Sequence, residues 1–421
     1  MTYLFVFLAA AAVSCVTTPL VRRLAIAVGI LDRPEARKMH REPMPLLGGL
    51  AVAAGLAAGC LLAYVLPDHR VPGMPLAGLG IGALLMVGLG VYDDARGADA
   101  RLKLSVQTLA ALVVIASGNR IGILTNPFGG TWDLGALSVP VTILWIVGIT
   151  NAMNLIDGLD GLAAGIGAIV AATLFAAAIP DATSFVPVAA LALSGASAGF
   201  LRSNFPPARI FLGDTGSLLV GFVIAVLGMQ GSFKGTTALA LVVPIIALGI
   251  PVADTALAIL RRGRQRRHLF QADREHLHHR LVRIGLSQRQ AVLVLYWISI
   301  FLAGTAISLK NLPPQKGFLL VALALSAGAL WLRSLVYVER RFDRLYAALA
   351  RLAREGRAPD EEVLGLVNGF HALEEETRVR SAEDEPAEET AVAVPVADLF
   401  GRPGTARKIL ASKLGRRVGT P

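Results

Sequence analysis

The chain has 421 residues, of which 54% are hydrophobic and only 17% charged; its mean hydropathy is +0.61 and its net charge +10. A soluble globular protein of this length needs far more polar surface, so composition excludes one and implies a polytopic membrane protein. The positive charge lies mostly in short loops, which suits anionic lipid headgroups, and no soluble basic domain for nucleic-acid binding is apparent.

Apolar stretches approaching the roughly 20 residues needed to span a bilayer recur along most of the chain. They run over Tyr3–Val21, Leu46–Leu66, Pro75–Val91, Leu102–Ser117, Val139–Ile156 and Leu162–Ile179. More follow at Phe185–Leu201, Ser217–Met229, Ala238–Leu260, Ala291–Leu309 and Phe318–Val336. The expected fold is therefore all-α, with about eleven transmembrane helices. The first segment has no charged region before it and no obvious cleavage site, so it is read as a retained helix. Cys15 and Cys60 both fall in apolar segments and read as small buried hydrophobes.

Orientation follows from the basic residues. With the N-terminus outside, Arg33, Arg37, Lys38, Arg41, Arg96, Arg101, Lys103, Arg202, Arg209 and the run from Arg261 to Arg267 all face the cytoplasm. The stretch Asn119–Val139, with Pro-Phe-Gly-Gly amid alternating residues, then predicts a short outer β-hairpin. Residues 1–337 form one membrane domain, and 338–421 a cytoplasmic tail. The tail starts with helical periodicity at Phe342, Leu345, Leu349 and Leu352, and turns acidic and disordered in character from Glu374 to Glu389.

Four polar clusters sit at segment ends, all on the cytoplasmic face in this orientation. Asp93-Asp94 closes the third segment. Asn151, Asn154, Asp157 and Asp160 recur every three residues, which predicts neighbouring positions along a helix surface. Asp214 stands between Gly213 and Gly216 just before an apolar run, where it could cap the helix or help hold a phosphate–cation pair. His276, His278, His279 and Arg280 lie in a basic loop whose spacing does not suit a zinc site. Ionisable groups at a membrane boundary cost several kcal/mol unless they are paired or used. Carboxylates bind hard cations, so the clusters point to metal-assisted chemistry on a phosphorylated substrate. Asp254 is read as structural, within reach of Arg261 or Arg262.

The order of these motifs resembles the polyprenyl-phosphate N-acetylhexosamine-1-phosphate transferase family. The match starts at Asp32 to His40 and Pro45-Leu-Leu-Gly48-Gly49, and runs through the four clusters to Leu281. The resemblance implies a bacterial cytoplasmic-membrane enzyme that moves a phosphosugar from a UDP-sugar to polyprenyl phosphate and releases UMP. It implies magnesium, or manganese, held by Asp214 with Asp94 and Asn154. Asp93, Asp94, Asp157, Asp160 and His279 would be catalytic, and Lys38, Lys103, Asn151, Asn154, His276, His278 and Arg280 would bind substrate. Leu277 interrupts the histidines, which resembles the N-acetylglucosamine branch more than the phospho-N-acetylmuramoyl-pentapeptide branch. A third acid expected three residues after the pair is replaced by Gly97, with Asp99 two residues further on. Oligomeric state stays open, a homodimer included.

Two other classes compete. A CDP-alcohol phosphotransferase signature matches from Asp157 to Ala164 but fails at Gly165, where arginine is required. A secondary transporter would place its acids near the bilayer midplane instead of at one face.

Overall fold

The computed structural model describes residues 1–34, 42–66, 73–125, 131–179, 185–230, 242–264, 276–310 and 312–355. Helix α1 (Thr2–Val28) ends where Gly29 turns left-handed, and two short antiparallel strands follow, β1 (Leu31–Asp32) and β2 (Met44–Pro45). Helices α2 (Gly48–Val65), α3 (Gly73–Arg96) and α4 (Ala100–Ala116) come next. Asp99, the displaced third acid, is the N-cap of α4 and accepts the Leu102 N–H at 2.9 Å. Strands β3 (Ile123–Thr125) and β4 (Thr131–Asp133) pair antiparallel, Ile123 opposite Asp133. Helices α5 (Ser138–Ile156), α6 (Leu162–Ala178), α7 (Val186–Asn204) and α8 (Gly213–Gln230) complete the central part. The remainder is α9 (Val242–Ala247), α10 (Gly249–Arg264), α11 (Leu277–Arg283), α12 (Gln288–Lys310) and α13 (Pro314–Glu355).

Among the described residues, eight helices are long and apolar enough to cross a membrane. They are α1, α2, α3, α5, α7, α8, α12 and α13, against about eleven expected from the sequence. Three segments account for the difference. Helices α4 and α6 have 17 residues each, and α4 carries Arg101 and Lys103. The stretch read as one span at Ala238–Leu260 is broken at Leu248 into α9 and α10. Pro251 has no N–H to continue the α9 ladder, and it is tolerated in the first turn of α10.

The chain divides into two units, Met1–Gly328 and Ala329–Pro421, with the boundary inside α13. That helix has 42 residues, so it is about 63 Å long, roughly twice a bilayer's hydrocarbon core. The tail beyond it, 356–421, lies outside the described residues.

Helix α8 forms the centre of the first unit and packs against α2, α3, α5, α6 and α7. Its residues from Thr215 to Gly228 are all buried, as expected of a helix apolar on every side. Close approach makes this possible: a side chain at Gly90 would collide with the Asp214–Thr215 backbone. The ends of α3, α5 and α7 meet the starts of α4, α6 and α8. The β3–β4 pair lies at the other end of α4 and α5.

Candidate active site

The first N–H groups of any helix lack partners within it. In α8 they are satisfied from a different helix. Asp94, in the last turn of α3, accepts the Asp214 N–H on Oδ1 at 2.8 Å. Its Oδ2 accepts the Thr215 N–H at 3.2 Å and the Thr215 hydroxyl at 2.6 Å. Both oxygens of Asp94 are thereby committed to capping α8.

Asp93 is used differently. Its Oδ2 lies 2.6 Å from Lys103 Nζ, while the Ala98 N–H donates to its other oxygen. The same ammonium lies 2.6 Å from Asp214 Oδ2. Lys103, in the first turn of α4, therefore bridges carboxylates from α3 and α8. Asn154 completes the group: its Nδ2 donates to Asp214 Oδ1 at 3.0 Å and to Ser217 Oγ at 2.9 Å. Asp214, Asp94 and Asn154, expected around a metal, thus lie together here joined by hydrogen bonds. Asp93 is the carboxylate that shares a cation with Asp214, and Asn154 presents an amide donor to it.

The three-residue repeat also changes character. Asn151 and Asn154 lie on α5, but the helix ends at Ile156, so Asp157 and Asp160 belong to the turn before α6. Asn151 faces Gln107, its Nδ2 donating to Gln107 Oε1 at 2.7 Å. Burial raises the Asp157 carboxyl well above the ordinary carboxylate range, and the nearby Asp214, Asp94 and Asp160 carboxylates push it the same way. Asp160 accepts the Ala208 N–H at 2.9 Å.

The histidine cluster is built around another buried acid. Asp254 on α10 accepts the Leu277 N–H at 2.9 Å, and its other oxygen lies 2.8 Å from His276 Nδ1. It anchors the start of α11, which is a structural role. His278 stacks parallel to His276 and sits with its ring centre 4.2 Å from that of His279. Its imidazole lies on Gly158, where any side chain would collide with it. The histidines therefore reach the acid loop. Burial, then the neighbouring His279, push the His278 imidazole down to about 3, so it is neutral. Neither of its ring nitrogens has a hydrogen-bond partner among the described residues.

The structure thus gathers Asp93, Asp94, Lys103, Asn154, Asp157 and Asp214, with His278 against the loop. Arg280 lies on α11 beside His279, and Lys38 falls outside the described residues. Sequence reasoning missed Gln107, Thr215, Asn204 and Tyr296. Gln107 had a signal, a buried amide within an apolar helix.

The family model described as glycosyl transferase family 4 matches residues 76–232, which include Asp93, Lys103, Asn154 and Asp214. A "probable undecaprenyl-phosphate N-acetylglucosaminyl 1-phosphate transferase" of Bacillus subtilis is 40% identical over 297 residues, covering 70% of this chain and 82% of the relative. The chain belongs to glycosyl transferase family 4. The decaprenyl-phosphate N-acetylglucosaminephosphotransferase of Mycobacterium tuberculosis is 36% identical, covering 80% of this chain and 90% of its own length. An undecaprenyl-phosphate alpha-N-acetylglucosaminyl 1-phosphate transferase of Salmonella typhi is 28% identical over 69% of this chain and 79% of its own.

Proposed function

We propose that this chain transfers N-acetylglucosamine 1-phosphate from UDP-N-acetylglucosamine to polyprenyl phosphate and releases UMP. Family membership and the names of the relatives support the reaction class. The observation that carries the reading onto these residues is Lys103 Nζ at 2.6 Å from both Asp93 and Asp214. It marks a position where two carboxylates from different helices hold a cation.

That position suits magnesium or manganese. The donors are hard oxygens, and no group of three or more acids, histidines or cysteines close enough to hold a metal occurs among the described residues. Magnesium is commonly held by one or two carboxylates, with substrate phosphates and water completing its shell. Asp214 and Asp93 would hold the ion, which when bound would neutralise the diphosphate and stabilise the departing UMP.

The chain's own groups do the rest. An oxygen of the lipid phosphate attacks the sugar-bearing phosphorus as the bond from that phosphorus to UMP breaks. Asp93 positions the lipid phosphate; a general base adds little, because the second phosphate pKa is roughly 6. Asn154 holds the Asp214 carboxylate in place. Lys103 draws phosphate oxygens towards the pair. Asp157 and Asp160 line the nucleotide side, and His276, His278, His279 and Arg280 face the phosphosugar. The site occupies the cytoplasmic end of the helices, with the N-terminus outside, in a bacterial cytoplasmic membrane. It is built from one chain, so the reading is the same for a monomer or a homodimer.

The test is UMP release by purified protein with polyprenyl phosphate and UDP-N-acetylglucosamine, with magnesium and then with chelator. Metal- and lipid-dependent UMP is expected. Turnover only with UDP-N-acetylmuramoyl-pentapeptide would change the donor and keep the site. Silence with every UDP-sugar, from folded protein, would overturn the proposal.

A further inference from the structure

The loop carrying Asp157 and Asp160 is gripped at Gly161 by two residues that play no part in the reading above. Gly161 turns the chain into α6 with φ 73°. Its N–H donates to Asn204 Oδ1 at 3.0 Å, and its carbonyl accepts the Tyr296 hydroxyl at 2.5 Å. Asn204 is the buried last residue of α7, and Tyr296 comes from α12. Helices α6, α7 and α12 thus meet at one residue.

Asn204 also reaches forward. Its Nδ2 donates to the Ile210 carbonyl at 2.9 Å, in the segment that leads to Asp214. A second bond joins the same two loops, from the Ala208 N–H to Asp160 Oδ2 at 2.9 Å. The 205–212 segment is itself fixed, because Phe211 N–H donates to Pro45 O, while Gly48 and Gly49 donate to Phe211 O and Leu212 O. A buried amide bonded to two loops sets their spacing, since a buried polar group left without its partner is strongly disfavoured. A simple cap on α7 would not need Asn204 to reach Gly161. Space is also reserved for the tyrosine: a side chain at Gly165 would collide with its ring and hydroxyl.

We infer that Asn204 and Tyr296 are positioning residues: they clamp Gly161 by its N–H and its carbonyl and keep the Asp157–Asp160 loop in register with Asp214. The acid on this loop sits close enough to Asp214, Asp94 and Asp160 for their carboxylates, after burial, to disfavour its charge, so its position matters to the site. Released, it would move away from them and loosen the nucleotide side of the site. That consequence rests on the transferase reading; the clamp itself does not.

The experiment compares full-length wild type with Tyr296→Phe and Asn204→Ala in detergent. Hydrogen exchange is read over residues 157–161, and kinetics are measured by varying UDP-N-acetylglucosamine and the lipid phosphate separately. In both variants exchange should accelerate by about tenfold or more. The nucleotide-sugar KM should rise about threefold or more, with the lipid KM within about twofold. Tyr296→Phe removes one hydroxyl and carries the test alone if Asn204→Ala fails to fold. Unchanged exchange in Tyr296→Phe would overturn the clamp. Faster exchange with both KM values unchanged would reduce it to a structural contact and overturn the positioning role. A wild type that releases no UMP but loses loop protection in Tyr296→Phe would sink the transferase reading and leave the clamp standing.

Discussion

The α3–α8 junction and the α10–α11 junction solve one problem with different residues. Each has a helix start that needs acceptors, and each supplies them from an acid on another helix. Asp94 caps α8 and Asp254 anchors α11. What remains differs. Beside Asp94, Asp93 is left to share Lys103 with Asp214, so a charged pair faces the site. Beside Asp254, His276 is used up in the anchor, and neutral His278 is left with no partner on either ring nitrogen among the described residues. One junction thus presents a charged pair and the other a buried neutral imidazole.

The sharpest way to break this division is Asp214→Asn. It keeps the size of the side chain while removing the charge Lys103 pairs with. Turnover should fall by more than about 100-fold with membrane insertion intact. Half the activity surviving at saturating magnesium would take Asp214 out of the cation site.

The two adjacent acids give the next largest contrast. Asp93→Asn should cut turnover by about tenfold or more and leave the melting temperature near that of wild type. Asp94→Ala strips the cap from α8 and should lower stability by about 1–2 kcal/mol in addition to its effect on turnover. Thermal unfolding of both variants decides it, and the reverse pattern would refute the assignment of roles.

The smallest effect is the pH dependence at the other junction. His278 binds its proton near pH 3 when folded, against about 6.5 for a free imidazole. Between those values the unfolded chain holds more protons, so stability is lost as pH falls through about 6.5 and onwards towards 3. At pH 5.5 the loss from this residue should be about 1 kcal/mol relative to pH 7.5. His278→Gln should flatten that part of the profile; an unchanged slope would mean that His278 is not held neutral.

Much of the site is legible locally. Asp93, Lys103, Asn154, Asp157 and Asp214 stand out as polar residues at the ends of apolar runs, where unpaired charge is costly. The helical nature of the fold is legible for the same reason, since apolar runs of bilayer length can satisfy their backbone in lipid as helices. The break at Leu248 was hidden, because an apolar run reads the same whether or not Pro251 starts a new helix within it. The repeat from Asn151 to Asp160 misled because spacing alone does not mark where α5 ends.

A polytopic helical membrane protein and the residue types of its polar clusters follow from the chain alone, because hydropathy and charge are properties of short stretches. Helix packing selected Asp93 to pair with Lys103 and Asp94 to cap α8; it also brought Lys103 to Asp214 across 111 positions and Tyr296 to Gly161 across 135. Those outcomes depend on which helix ends meet, and a hydrogen bond is selected by distance in space and not by distance along the chain.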